Sequence, residues 1–286
     1  MKRRSLLLMS IAAFGYALLY VPIMFVVIYS FNDSRLVTLW GGFSLRWYAS
    51  LLSNDELLEA ALLSLRVAVV SATFATALGA VVALALRRVP RLRGRLLLSS
   101  MVTAPLVMPE IITGLSLLFL FISMTHLIGW PTSRGATTIR IAHITFSMAY
   151  VVVVVRSRLA AMDESLEEAA MDLGGRPVAV FFDVTVPMLL PALVSGWLLA
   201  FTLSLDDLVI SSFVSGPGAT TLPMLIFAKV RLGVTPDINA ITTIIIALVI
   251  TAVATASQGR IAVACVSATN TSFSKSISAP AEMILK

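Results

Sequence analysis

Runs of uncharged, mostly apolar residues divide the chain into six stretches. Ser5 to Phe31 contains no charge and follows Lys2, Arg3 and Arg4; Val67 to Leu86 is uncharged and closes on Arg87 and Arg88. The third run extends from about Leu96 to Met124 and is interrupted by Pro105, Pro109 and Glu110. The fourth covers about Ala136 to Val155, with Arg140 near its edge, where a long side chain can snorkel to water. The fifth covers about Leu190 to Val214 and includes Asp206 and Asp207, and the sixth runs uncharged from near Ile238 to Gly259. About 20 apolar residues span a bilayer as a helix. The pattern therefore predicts an all-α, polytopic membrane protein with six transmembrane helices. The first run is longer than the roughly 7–15 apolar residues of a signal peptide, so it reads as a retained span.

Composition agrees and adds an orientation. Of the 286 residues, 58% are hydrophobic and 13% charged, against about 25% charged in average soluble chains. The N-terminus, the connections after spans 2 and 4, and the tail hold fourteen Lys and Arg, against six in the other three connections. The positive-inside rule then places both termini in the cytoplasm. Most of that signal comes from Arg87, Arg88, Arg91, Arg93 and Arg95. These basic residues lie between apolar runs and not on a soluble face, which argues against nucleic acid as a partner. A single cysteine, Cys265, allows neither an internal disulfide nor a cysteine-based zinc site.

Two connections are long. Asn32 to Leu63, with Trp40, Gly41, Gly42 and Trp47, reads as a cap on the external mouth. Arg156 to Leu189 is cytoplasmic in this topology. Ser165 followed by Glu168 has capping-box spacing, Glu167 and Glu168 suit the positive end of a helix, and Ala169, Ala170 and Met171 favour helix. Gly174 or Gly175 stops it and Pro177 follows. This predicts a helix of about two turns between spans 4 and 5, followed by a second helical stretch over Val178 to Val184.

Ionisable groups inside spans are costly and point to function. At 1.5 Å per residue, Asp206 lies roughly 24 Å and Glu110 roughly 21 Å from the cytoplasmic end of their spans, and His143 about 10 Å from the outer edge. A shared outward-facing cavity is expected, with Pro105 and Pro109 kinking span 3 beside it. Asp206 and Asp207 point about 100° apart on a helix, so one lines the path while the other pairs with a neighbouring helix or caps a break. The carboxylates can attract a cationic substrate or serve helix–helix bonding. His143 reads as a hydrogen-bonded packing residue rather than a proton relay.

The spacing Glu168-Ala169-Ala170, three residues, Gly174, nine residues, Val184, one residue, Val186-Pro187 resembles the EAA motif of binding-protein-dependent ABC transporter permeases. Further stretches resemble the polyamine branch of that family, in particular the second permease subunits of putrescine importers. They are Ala104-Pro-Leu-Val-Met-Pro-Glu-Ile-Ile-Thr-Gly-Leu-Ser116, His143-Ile-Thr-Phe146, Ser204-Leu-Asp-Asp-Leu-Val-Ile-Ser-Ser-Phe-Val-Ser-Gly-Pro217, Leu222-Pro-Met224 and Val230-Arg-Leu-Gly-Val-Thr-Pro-Asp-Ile-Asn-Ala240.

The resemblance implies a type I importer permease fold in the bacterial inner membrane. Its expected partners are ABC ATPase subunits, a sister permease subunit and a periplasmic polyamine-binding protein. It implies that Glu167, Glu168, Ala169, Ala170, Asp172 and Gly174 dock the ATPase, and that Glu110, Asp206 and Asp207 are substrate-pathway candidates. No G-x-x-x-x-G-K-[ST] loop occurs, so no cofactor is expected on this chain, and ATP is hydrolysed by the partner. The implied organisation is residues 1–59 as first span and external loop, 60–258 as permease domain with the EAA loop at 156–189, and 259–286 as an atypical polar tail. Ser257 to Lys286 departs from the family's charged tail, through divergence or a shift of reading frame near Ala254. Two rival readings are a permease for another small solute and a proton-coupled secondary transporter using Glu110 or Asp207. An intramembrane hydrolase lacks its motif, since no H-E-x-x-H is present.

Overall fold

The computed structural model describes residues 2–34, 39–88, 94–163, 165–232, 236–247 and 250–251. The end of the expected sixth span, the tail, and Arg91 and Arg93 of the arginine loop lie outside them. Regular structure among the described residues is helical, beside one isolated antiparallel bridge between Asn32 and Phe43.

The chain forms two compact units, residues 54–232 and the segments on either side. The flanking unit contains α1 (Lys2–Tyr29), α2 (Arg46–Leu52) and α12 (Pro236–Ala247). After α1, the buried Asn32 organises the loop that follows. Its amide donates to Leu39 O at 2.7 Å, its Oδ1 accepts the Gly41 N–H at 2.8 Å, and Trp47 Nε1 donates to its carbonyl at 2.7 Å. These bonds hold the segments around Trp40 and Trp47 to the end of α1.

The second unit runs α3 (Asp55–Arg88), α4 (Arg95–Val107), α5 (Glu110–Ile128), α6 (Ala136–Ala160), α7 (Ser165–Asp172), α8 (Pro177–Val180), a π segment (Phe181–Thr185), α9 (Val186–Asp206), α10 (Val209–Val214) and α11 (Leu222–Leu232). Among the described residues, five helices are long and apolar enough to cross a membrane: Met9–Tyr29 of α1, then α3, α5, α6, and Pro177–Asp206 as one continuous helix.

Three expected boundaries are corrected. The external connection was expected to reach Leu63, yet α3 starts at Asp55. Asn54 Oδ1 accepts the Leu57 N–H at 3.2 Å, Asp55 and Glu56 sit in the first turn, and Leu57, Ala60 and Ser64 already carry the buried face. Charges on the opposite face conceal this start from a run-based reading. The third span is not one kinked helix: Pro105 stays inside α4, and the chain breaks where Met108 and Pro109 turn extended (ψ 137° and 138°). The stretch over Val178–Val184, expected from the sequence to end at Pro187, does not end there. It continues into α9 through the π segment, a widened turn that closes two residues before Pro187, which can donate no backbone hydrogen bond.

Lipid offers no hydrophobic drive between helices, so close packing needs small residues. On α3, Ser64, Ala68, Ser71, Ala72, Ala75, Gly79 and Ala83 form a buried stripe. Val151 of α6 wedges between two glycines. A Cβ added at Gly79 would lie 2.8 Å from its Cγ1, and one at Gly196 of α9 would lie 3.3 Å from the same atom. Val151 is β-branched and cannot swing away cheaply. Gly79→Ala is therefore expected to destabilise the detergent-solubilised protein by about 1–3 kcal/mol. In thermal denaturation, Gly79→Ala combined with Val151→Ala is expected to be more stable than the sum of the two single changes indicates.

Candidate functional site

α9 stops at Asp206 because Asp207 takes an extended backbone (φ −65°, ψ 122°), and the chain restarts as α10 two residues later. The restart leaves backbone N–H groups without helical partners. Asp207 supplies them: Oδ1 accepts the Ile210 N–H at 3.2 Å and Oδ2 the Ser211 N–H at 2.7 Å. His143 of α6 completes the cluster. Its Nε2 lies 3.1 Å from Asp207 Oδ2 and 3.0 Å from Ser211 Oγ, and its Nδ1 lies 2.6 Å from Ser204 Oγ. The His143 and Asp207 side chains are only 2% and 6% exposed. Because Ser204 belongs to α9 and Ser211 to α10, one imidazole ties both sides of the break to α6.

The other end of α10 is held similarly. Thr138 Oγ1 donates to Val214 O at 2.7 Å, and a Cβ on Gly216 would collide with the Arg134 carbonyl oxygen. Gly114 of α5 leaves room for Phe213, whose ring carbon would lie 2.7 Å from an added Cβ.

The expected polar groups thus divide. Asp207 and His143 bind each other, whereas Asp206 is exposed. Glu110 is exposed in the first turn of α5, and its side chain makes no hydrogen bond or ion pair among the described residues. Arg140, expected to snorkel, is half-buried, and its Nε is buried without a hydrogen-bond partner. Ser204 and Ser211 acquire functional weight only through their contacts. The one sequence signal for them is that they straddle the Asp pair. No three His, Cys, Asp or Glu among the described residues form a metal-binding group.

At the other sequence-predicted site, α7 forms over the expected two turns. The Ser165–Glu168 capping box is replaced by a different cap: Asp163 Oδ1 accepts the Ser165 N–H at 3.0 Å. That bond and one from the Ser165 side chain hold the exposed Asp163 carboxyl below its ordinary range. The C-terminus resolves the choice of stop. Gly174, at φ +88°, donates to Met171 O at 2.9 Å, and Gly175 donates to Ala170 O at 3.1 Å, the paired bonds of a Schellman motif. Only Gly174 takes the left-handed conformation, while Gly175 is required by closeness, since its Cβ would meet Ala170 O at 2.7 Å. Glu168, Ala169 and Asp172 are exposed and Ala170 is half-buried. Glu167 instead turns inward, to Arg88 Nη2 at 3.0 Å and Thr185 Oγ1 at 2.7 Å.

Long apolar helices, small-residue packing and a surface helix between two of them are the features of a transporter's membrane subunit, and the chain belongs to the family described as binding-protein-dependent transport system inner membrane component, which it matches over residues 75–263. It is 59% identical over 235 residues to the putrescine transport system permease protein PotI of Escherichia coli K12, covering 82% of this chain and 84% of that one. It is 44% identical over 233 residues to the spermidine/putrescine transport system permease protein PotC of the same organism, covering 82% and 86%. Among solved structures, a bacterial ABC transporter involved in the import of the acidic polysaccharide alginate shares the fold, with TM-score 0.69 at 16% identity over 90% of this chain and 96% of that one.

Asp207→Ala is expected to leave the Ile210 and Ser211 backbone N–H groups unsatisfied beside a buried His143 that keeps only its serine partners, costing about 1–3 kcal/mol for each N–H that finds no new partner. Asp206→Asn is expected to leave stability nearly unchanged. Thermal denaturation and the yield of folded protein in detergent separate the two.

Proposed function

We propose that this chain is a permease subunit of an ATP-driven ABC importer that moves putrescine or a related polyamine inward across the bacterial inner membrane. The observation that carries this reading is the extent of identity to a putrescine permease, 59% over 82% of the chain. The motif-bearing stretches over Ala104–Ser116, His143–Phe146 and Ser204–Pro217 lie within the matched family region. In this reading the chain has six spans and cytoplasmic termini. It works with ABC ATPase subunits that hydrolyse ATP, a sister permease subunit and a periplasmic polyamine-binding protein. The alginate transporter that shares the fold has also been solved with a substrate-bound periplasmic protein, which supports the last partner.

The α7 region supplies the docking face. Leu166, Met171, Leu173, Val178 and Phe182 are large apolar side chains left exposed around it, Leu173 at 90%. Glu168, Ala169, Asp172 and the Gly174 stop accompany them at the surface. Several large apolar side chains exposed on one short stretch of chain fit an interaction site. Within the membrane, Asp206 and Glu110 remain available to a diammonium cation, because neither is consumed by an internal ion pair among the described residues. Asp207 is occupied by His143 and the α10 backbone. That buried His–Asp pair is also the one observation that favours the rival proton-coupled reading.

Uptake of radiolabelled putrescine by cells carrying the complete transporter tests the proposal. Glu168→Lys is expected to reduce uptake at least tenfold while the protein stays inserted at normal levels; intact uptake would count against docking at this loop. Glu110→Gln is expected to lower uptake by more than it lowers protein level, whereas equal losses would assign Glu110 to structure.

A further inference from the structure

None of the α7 residues is buried, and the helix rests on α8 and the π segment. A helix held so lightly would tilt when pushed and lose the displacement before it reached the spans. Glu167 addresses this. Among the described residues it is the only α7 side chain hydrogen-bonded to a spanning helix, and its two oxygens go to two different ones. Oε2 accepts from Arg88 Nη2, at the last residue of α3, at 3.0 Å. Oε1 accepts from Thr185 Oγ1, at the last residue of the π segment leading into α9, at 2.7 Å.

Arg88 is placed for this contact. Its guanidinium lies over the Phe181 ring, 5.4 Å from the centroid, and its Nη2 is 3.5 Å from Thr185 Oγ1. Thr185 is itself buried, and its hydroxyl reaches Glu167 from the widened turn of the π segment. With side-chain exposures of 45% and 21%, the Arg88–Glu167 pair contributes little to folding. Its value lies in geometry, because Arg88 on one carboxylate oxygen and Thr185 on the other fix the direction of Glu167 as well as its distance.

Building on the ABC-permease reading, we propose that Glu167, Arg88 and Thr185 form the joint that delivers displacement of α7 simultaneously to α3 and to the α8–α9 helix. Arg88 and Thr185 are positioning residues: they touch neither nucleotide nor substrate, and they keep the docking helix and two spans moving as one body. Losing the joint leaves the ATPase able to grip α7 but unable to turn the spans.

The test uses the complete transporter in proteoliposomes, with binding protein, measuring ATP hydrolysis and putrescine uptake together. Arg88→Gln and Thr185→Val are expected to keep hydrolysis within about twofold of the unmodified complex while uptake falls at least tenfold, so that more ATP is spent per putrescine. Arg88→Lys, which keeps the charge but loses the planar guanidinium over the Phe181 ring, is expected to fall between. The exchange Arg88→Glu with Glu167→Arg is expected to recover uptake relative to either change alone. Unchanged uptake in Arg88→Gln would overturn the joint. So would parallel loss of hydrolysis and uptake together with loss of ATPase subunits from the purified complex, which would assign Arg88 to assembly. An unmodified complex that takes up no putrescine when ATP is hydrolysed overturns the underlying permease reading, and the joint with it.

Discussion

The architecture depends on how closely α3, α6 and α9 can approach. In lipid the apolar side chains gain nothing by leaving one surface for another of the same polarity, so contact must come from fit. Fit here means Val151 seated against Gly79 and Gly196, and an alanine-rich stripe along α3. These helices place His143 where it meets the end of α9, and they carry Arg88 to the position where it meets α7.

Polar groups within this packed body are satisfied in pairs and networks, as burial demands. The break between α9 and α10 would leave unpaired backbone N–H groups, and the Asp207 carboxylate accepts two of them. His143 then fixes the same carboxylate and the serines on either side of the break. The irregular segment is therefore held rigidly. This separates the adjacent aspartates: Asp207 maintains the break, and Asp206 stays exposed.

Much of this was legible in the chain. The apolar runs located α1, α6 and most of α3, and the Ser165–Gly174 stretch located α7 with its glycine stop. Run-based reading failed where charge and helix coexist. The start of α3 carries Asp55, Glu56 and Glu59 on its outer face, and helix continues through all three. It also failed where proline did not mean termination, since a π turn carries the chain up to Pro187, whereas at Pro109 the helix breaks outright. The spacing of Asp206 and Asp207 predicted different roles but could not assign them. The assignment depends on α6, more than sixty residues earlier in sequence, presenting His143 to one of the two. Glu167 and Glu168 are adjacent glutamates of opposite orientation for the same reason, because Arg88 lies 79 residues away.

In the proposed function, movement of solute through this chain is powered by a partner's ATP hydrolysis and not by an ion gradient acting on the buried His143–Asp207 pair. Putrescine uptake into proteoliposomes holding the complete transporter decides it, when an ATPase subunit unable to hydrolyse ATP is substituted and a proton gradient is imposed. The expected result is that uptake stops with hydrolysis and that the gradient does not restore it. Uptake that persists on the gradient alone, and is abolished by Asp207→Asn, would overturn ATP-driven import and make the His143–Asp207 pair the engine of transport.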